Sequence, residues 1–386
     1  MTARVSSRRF IDEMTARGFG PYIGVPCSFL RPFIDYVIDR DDLEYVAATN
    51  EGEALAIAAG AQLAGRKPVV MLQNSGLGNL VNPLASLTYV FKIPVLIIVT
   101  HRGEPRLNDE PQHVLMGRIT TQLLDDLAVE HAAFPASDDA IDARLDHATA
   151  RMAETGLPFA FVLRKNTVDE YSPRPRPAAA RRSTGRLIAT TSNAVIPTRR
   201  DAIALIAESS ADALVIATTG KTGRELFEYS DRPSHFYVVG SMGCASSLAL
   251  GVARETAAPV VVLDGDGAAL MRLEALASIG HQTPTNLVHI ILDNESYEST
   301  GCQTTISSSV HFPEIAAACG YATSRSASGN AELRAALVEA RAQPGPHLIH
   351  TRVGISTDPE LGRPAVAPPD VAARFRAEIA NRRNPT

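Results

Sequence analysis

The sequence predicts an α/β fold made of two doubly wound parallel sheets. Three observations carry that expectation. Short β-branched runs such as Val260-Val261-Val262-Leu263 and Leu287 to Leu292 read as strands buried on both faces. Segments of helical composition alternate with them, among them the Ala-rich ALAIAAGAQLAG that follows Glu53. A Pro- and Arg-rich stretch, residues 171–199, has the character of a connection and divides the chain. The organisation read from this is a first domain at 1–170, a linker at 171–199, a second domain at 200–370 and a tail at 371–386, a polar helix with a solvated, Arg-rich end.

In the first domain, Phe10 to Arg17 reads as an amphipathic helix. Strands are expected at Tyr22 to Pro26, Leu43 to Ala48, Val69 to Gln73, Val95 to Thr100 and Phe159 to Leu163. Each ends in a polar or Gly-rich turn, and in a parallel sheet such turns gather at the carboxyl edge, where ligands bind. In the second domain, Thr198 is a good N-cap for the helix DAIALIAESS. Strands are expected at Ala213 to Ala217, Phe236 to Val239, Val260 to Leu263, Leu287 to Leu292 and His347 to Val353, with a helix from Ala268 to Ile279.

Composition excludes several classes. The net charge of −5 and pI near 6.1 give no reason to expect nucleic acid. No apolar run approaches the length of a membrane span, and MTARVSSRRF lacks the apolar core of a signal peptide. The four cysteines (Cys27, Cys244, Cys302 and Cys319) are scattered without a C-x-x-C pair, which points to a reduced, cytoplasmic protein without a zinc site. Cys27 and Cys302 read as small packing residues.

The most informative stretch runs from Pro259 to Gly301. A strand ends in Asp264-Gly265-Asp266-Gly267, a helical interval follows, and a second strand ends in Asp293-Asn294. Asp266 offers a carboxylate, Asn294 an amide oxygen, and Ser296 a backbone carbonyl. That donor set suits Mg²⁺, which keeps few protein ligands and takes the rest from phosphate and water. Gly265 and Gly267 let the backbone approach a phosphate. The plain alternative is an ordinary Gly-rich βα turn. Gly220-Lys221-Thr222 invites a P-loop reading, but position 215 is Val where that motif needs Gly.

Gly265-Asp266-Gly267, 25 intervening residues and Asp293-Asn294 together resemble the metal-diphosphate motif of thiamine diphosphate enzymes, which reads Gly-Asp-Gly, a spacer, then Asn-Asn. The first Asn of that pair is Asp293 here. The phrase Asn50-Glu51-Gly52-Glu53-Ala54 resembles the segment carrying the catalytic glutamate of the same family. Gly24-Val25-Pro26-Cys27-Ser28, Gln73 to Asn79, and Arg102-Gly103-Glu104-Pro105 with Asp109 to His113 resemble the phosphonopyruvate and sulfopyruvate decarboxylases within it.

The resemblance implies thiamine diphosphate and Mg²⁺ as cofactors, two domains of the thiamine diphosphate-binding type with no middle domain, and a small anionic 2-oxo acid as substrate. It implies decarboxylation of 3-phosphonopyruvate to phosphonoacetaldehyde and CO₂. The alternatives are sulfopyruvate or another 3-substituted pyruvate, a carboligase, or a cofactor-binding protein without turnover. Glu51 matches the glutamate that shares a proton with N1′ of the cofactor, and His113 is a candidate proton donor. Gly76 and Asn79, Thr219 and Gly220, Gly240 and Met242, and Gly265 and Gly267 match cofactor-side positions. Asp266, Asn294 and Ser296 match the metal site, and Ser28, Arg102 and Lys221 are candidates for the substrate's distal anion. Locally, Glu51 also reads as a helix N-terminal charge, His113 and Lys221 as surface groups, and Met242 as core. In the family the site is shared between subunits, so a homodimer or larger homo-oligomer is implied. Glu295, Cys302 and Thr304 depart from the family's Gly, Gly and Pro.

Overall fold

The computed structural model describes residues 4–176, 183–189, 194–355 and 361–383. The chain forms two compact units, residues 1–179 and 180–386. Parts of the expected linker (177–182 and 190–193) and of the tail (384–386) lie outside the described residues.

The first unit holds six strands: β1 (Phe19–Gly24), β2 (Tyr45–Ala47), β3 (Lys67–Leu72), β4 (Leu96–Thr100), β5 (Glu130–Ala133) and β6 (Phe159–Leu163). They form one parallel sheet in the order β2-β1-β3-β4-β6-β5. Strands β1, β4 and β6 are buried along their whole length, which is why their sequences are uninterrupted by charge. On one side Phe10, Phe33, Phe134 and Phe161 interlock, with the Phe10 and Phe134 ring centroids 4.5 Å apart. Helix Glu51–Leu63 is buried almost throughout, and its Ala and Gly residues let it lie close against the sheet.

The second unit holds β7 (Arg186–Ile188), β8 (Leu214–Ala217), β9 (His235–Tyr237), β10 (Val260–Gly265), β11 (Leu287–Asp293), the short hairpin β12 (Ser296–Tyr297) and β13 (Gln303–Thr304), β14 (Thr323–Ala327) and β15 (His347–Arg352). The main sheet runs β7-β14-β15-β11-β10-β8-β9, and its paired strands are parallel. Read from β9 inward, its order repeats that of the first sheet, with β7 added at the far edge. In both sheets the chain reverses its direction of winding beside the first long strand, between β1 and β3 and between β8 and β10. That reversal opens a crevice at the carboxyl edge.

Several elements differ from expectation. β7 comes from the stretch read as linker. The single helix expected from Ala268 is two, Asp266–Met271 and Ala275–Gln282. Helix Pro368–Arg383 is not simply a solvated tail, because Val371, Ala372, Phe375 and Ile379 are buried. Thr198 caps helix Arg199–Ser209 as expected, its side chain accepting from Asp201 N. No helix among the described residues is long and apolar enough to cross a membrane.

Candidate active site

Each residue singled out for chemistry in the first unit lies beyond the carboxyl end of a strand. Asn50 caps helix Glu51–Leu63 by accepting from Glu53 N at 3.0 Å, while the Glu53 carboxylate reaches back to Thr49 N at 2.8 Å. Glu53 is thus consumed in a reciprocal cap, and Glu51 is left at the helix start to face outward. Its Oε2 accepts from Asn79 Nδ2 at 2.7 Å. Gly76 lies directly against it: a Cβ there would meet Glu51 Cδ and Oε1 at 2.2 Å. The expected trio Glu51, Gly76 and Asn79 is therefore brought together, with Gly76 required by close approach.

Arg102, after β4, is held rather than free. Asp109 accepts from its Nε at 2.8 Å and Nη2 at 2.5 Å, and the Phe29 ring lies 4.8 Å below the guanidinium carbon. This bidentate clamp holds the Asp109 carboxyl well below the usual carboxylate range. Asn74 grips the Arg102 backbone, accepting from its N and donating to its O. What remains of the fork is Nη1, 3.4 Å from Ser28 Oγ. The two expected anion-binding residues thus meet. Their positioning partners Asp109 and Asn74 were visible in the sequence only as loop residues. His113 is buried rather than on the surface, and its Nδ1 has no hydrogen-bond partner among the described residues.

In the second unit a cavity of about 310 Å³ opens at the switch between β8 and β10. Its walls include Thr219, Gly220 and Lys221 after β8, Met242 after β9, Gly265, Asp266 and Gly267 on β10 and the helix after it, and Asn294 and Ser296 after β11. Gly240 precedes this wall, where Thr219 Oγ1 donates to Val239 O at 2.6 Å. Gly220 has φ +94° and ψ −148°, a conformation only glycine adopts without strain, and it starts helix Lys221–Tyr229 without a side-chain cap. A Cβ at Gly265 would meet nothing within 4 Å, whereas one at Gly267 would strike Tyr297 at 2.4 Å and Met242 Cε at 3.2 Å.

Asp266 is buried and accepts from Thr305 Oγ1 at 2.5 Å. Burial pushes its carboxyl up and the Asp293 charge adds to this, against the Thr305 bond. It makes no ion pair with a described residue. Thr218 Oγ1 and Ser296 Oγ, both in the wall, are buried without a hydrogen-bond partner among the described residues. A buried carboxylate lacking a counter-charge, an amide oxygen nearby and orphaned hydroxyls fit a hard cation carrying phosphate. No group of three His, Cys, Asp or Glu that could hold a metal ion is found among the described residues.

Asp293, standing for the family's first Asn, is a brace. It accepts from His350 Nε2 and Ser307 Oγ at 2.9 Å each and from Glu295 N at 2.9 Å. Burial opposes its charge, but these bonds prevail and hold the carboxyl below its usual range. Lys221 is half-buried, not exposed, and donates to Glu298 Oε1 at 2.7 Å. In the sequence Glu298 carries no motif and reads as one acid in an acidic, Ser-rich turn. Cys302, expected as packing, is exposed.

The model of the thiamine pyrophosphate enzyme N-terminal TPP binding domain matches residues 6–128, and that of the C-terminal TPP binding domain matches residues 218–351. The chain is 45% identical over 377 residues to a phosphonopyruvate decarboxylase of Streptomyces viridochromogenes, covering 97% of this chain and 95% of that one. It is 30% identical to a sulfopyruvate decarboxylase of Methanosarcina acetivorans, covering 81% and 82%. The crystal structure of benzoylformate decarboxylase from Polynucleobacter necessarius superposes with a TM-score of 0.70 over 92% of this chain and 100% of that one, at 14% identity, which speaks to the fold alone. With both halves matched and the likeness to a decarboxylase running nearly end to end, the chain belongs to the thiamine pyrophosphate enzymes and, among them, to the family of the phosphonopyruvate and sulfopyruvate decarboxylases.

Proposed function

We propose that this chain is a thiamine diphosphate- and Mg²⁺-dependent decarboxylase of 3-phosphonopyruvate, releasing CO₂ and phosphonoacetaldehyde, and that it works as at least a homodimer. The observation that carries the reading is the Glu51 carboxylate, fixed by Asn79 and faced by a glycine that leaves no side chain between them.

Thiamine diphosphate supplies, when bound, the electron sink for the charge left as CO₂ departs. Glu51 holds and returns a proton at N1′ of the aminopyrimidine, with Asn79 keeping one carboxylate oxygen in place. Asp266, the Asn294 amide oxygen and the Ser296 carbonyl hold Mg²⁺. Thr218 and the Thr219 and Gly220 backbone receive the diphosphate, and Lys221, expected at the substrate's distal anion, shares their wall and is assigned to the diphosphate instead. The Gly240 carbonyl would accept from the 4′-amino group, and Met242, in the cavity wall, would pack against the cofactor. Ser28 and the Nη1 edge of Arg102, which Asp109 does not occupy, bind the phosphonate, the doubly charged end that separates this substrate from pyruvate. His113 delivers the proton that replaces CO₂ on the product carbon.

The test is CO₂ release from phosphonopyruvate, sulfopyruvate and pyruvate, side by side, with both cofactors present. Phosphonopyruvate is expected to turn over fastest. Glu51→Gln should lower kcat by about 10²–10⁴. Arg102→Ala should raise KM for phosphonopyruvate by about 10–100-fold while leaving pyruvate nearly unchanged. An equal rise for both substrates rules out Arg102 as the phosphonate reader, and full activity of Glu51→Gln sinks the catalytic account. Light scattering with and without cofactor checks the homodimer.

A further inference from the structure

Among the acids of the second-unit cavity, Glu298 stands out because it is satisfied. Its side chain is only 4% exposed, yet it carries three donors from three separate elements. Lys221 Nζ, at the start of helix Lys221–Tyr229, reaches Oε1 at 2.7 Å. Arg199 Nη1, on helix Arg199–Ser209, reaches Oε2 at 2.6 Å, and Asn294 Nδ2, beyond β11, reaches the same oxygen at 3.0 Å. Arg199 in turn forks onto the buried Glu225 at 2.8 and 2.9 Å. The four charges cancel, so the network is a neutral frame. Three of the four lone-pair sites of the Glu298 carboxylate are thus taken by protein donors, although it lines the same cavity as Asp266.

The bond to Asn294 has a chemical consequence. A carboxylate only accepts, so the amide end facing Glu298 must be the nitrogen. The other end, Oδ1, accepts from Ser296 N at 3.2 Å and keeps a second lone pair. With the amide turned over, two oxygens would face each other and the amide nitrogen would be offered to the cation. Lys221 is anchored by the same carboxylate through one of its three N–H donors.

We propose that Glu298 is the positioning residue of this cavity: it fixes the Asn294 amide with its oxygen left for Mg²⁺ and anchors Lys221 and Arg199 around it. The inference rests on the cofactor reading above and adds a residue to it. Partners that orient a metal ligand from behind are worth about 10–100-fold in metal affinity.

The test is a double-mutant cycle in the full-length protein, built from wild type, Glu298→Gln, Asn294→Asp and the double variant. Calorimetry reads the Mg²⁺ concentration needed for thiamine diphosphate binding, and thermal melting is recorded without metal. Glu298→Gln should raise the Mg²⁺ midpoint by about 10–100-fold. Asn294→Asp alone sets two carboxylates against each other and should lower the metal-free thermal midpoint. Adding Glu298→Gln should then raise that midpoint and leave the Mg²⁺ requirement within about threefold of Asn294→Asp, because a carboxylate has no orientation to lose. An equal shift by Glu298→Gln in both backgrounds, or none, overturns the proposal. If Glu298→Gln alone does not fold, the comparison within the Asn294→Asp background decides: a further fall in thermal midpoint overturns it. Wild type that binds no thiamine diphosphate at any Mg²⁺ concentration sinks the proposed function itself, whereas Mg²⁺-dependent binding with an additive cycle sinks only this inference.

Discussion

Glu295 and Cys302 stand where the family has glycine, and the structure shows what those glycines serve. Both residues keep a left-handed backbone, φ +54° and +61°. A side chain there costs on the order of 1 kcal/mol. Glu295 recovers part of this through an ion pair with Arg352 at 3.0 Å, a modest gain because both side chains are partly exposed. Cys302 is exposed and has no such partner among its described contacts, while its N donates to Tyr297 O at 3.1 Å whatever the side chain. Cys302→Gly is therefore expected to stabilise the second unit by about 1 kcal/mol, a rise of roughly 2–4 °C in thermal midpoint, and Glu295→Gly by less. A fall in midpoint for Cys302→Gly would mean that this turn is not strained. At this scale the sequence was readable where one residue type does one job. Asp266, Glu51 and Arg102 fall where their motifs put them. Glu298 was not readable, because two of its three partners lie 77 and 99 residues away and only the spacing of four from Asn294 is local.

Among elements, legibility follows burial. The strands β4 and β6 are covered on both faces and apolar without interruption, and β10 and β11 are buried runs broken only by His289 and by the Asp264-Gly265 and Asp293 at their ends, so all four mark themselves. β5, β7 and β14 lie toward sheet edges, are partly exposed and read EHAA, RLI and TSRSA, which carries neither alternation nor length. Helix Pro368–Arg383 misled for a related reason. Its apolar residues Val371, Phe375 and Ile379 recur every four positions among arginines, a narrow stripe in a polar sequence. That stripe covers the β9 side of the sheet, with the Phe375 and Phe236 ring centroids 5.4 Å apart. Phe375→Ala should therefore cost about 3–5 kcal/mol in urea unfolding. A cost below about 1 kcal/mol would return the helix to the role of a solvated tail.

At the scale of the molecule, one topology is used twice, and each copy gathers its candidate site residues at the carboxyl edge of its own sheet. The copies differ in how they carry titratable groups. The two histidines with displaced pKa values, His235 and His347, both lie in the second unit. Burial, seconded by Arg232, pushes His235 down to about 4, and burial also lowers His347. The sign of the effect on stability follows from proton counting. Below about pH 6.5 the unfolded chain takes up a proton that folded His235 refuses until about pH 4, so stability falls with pH across that window. Asp293, whose pKa is depressed, stabilises above its unfolded value and loses its contribution only at lower pH still, so the histidine acts first. The wild-type second unit should lose about 2 kcal/mol between pH 7.5 and pH 5 on account of His235. Phe is close in shape and cannot charge, so His235→Phe should flatten most of that slope, leaving the smaller part due to His347. Urea unfolding at pH 7.5, 6 and 5 measures both chains. A wild-type stability that stays level to pH 5 would show that His235 takes up its proton in the folded protein, and an undiminished slope in His235→Phe would move the acid sensitivity to another group.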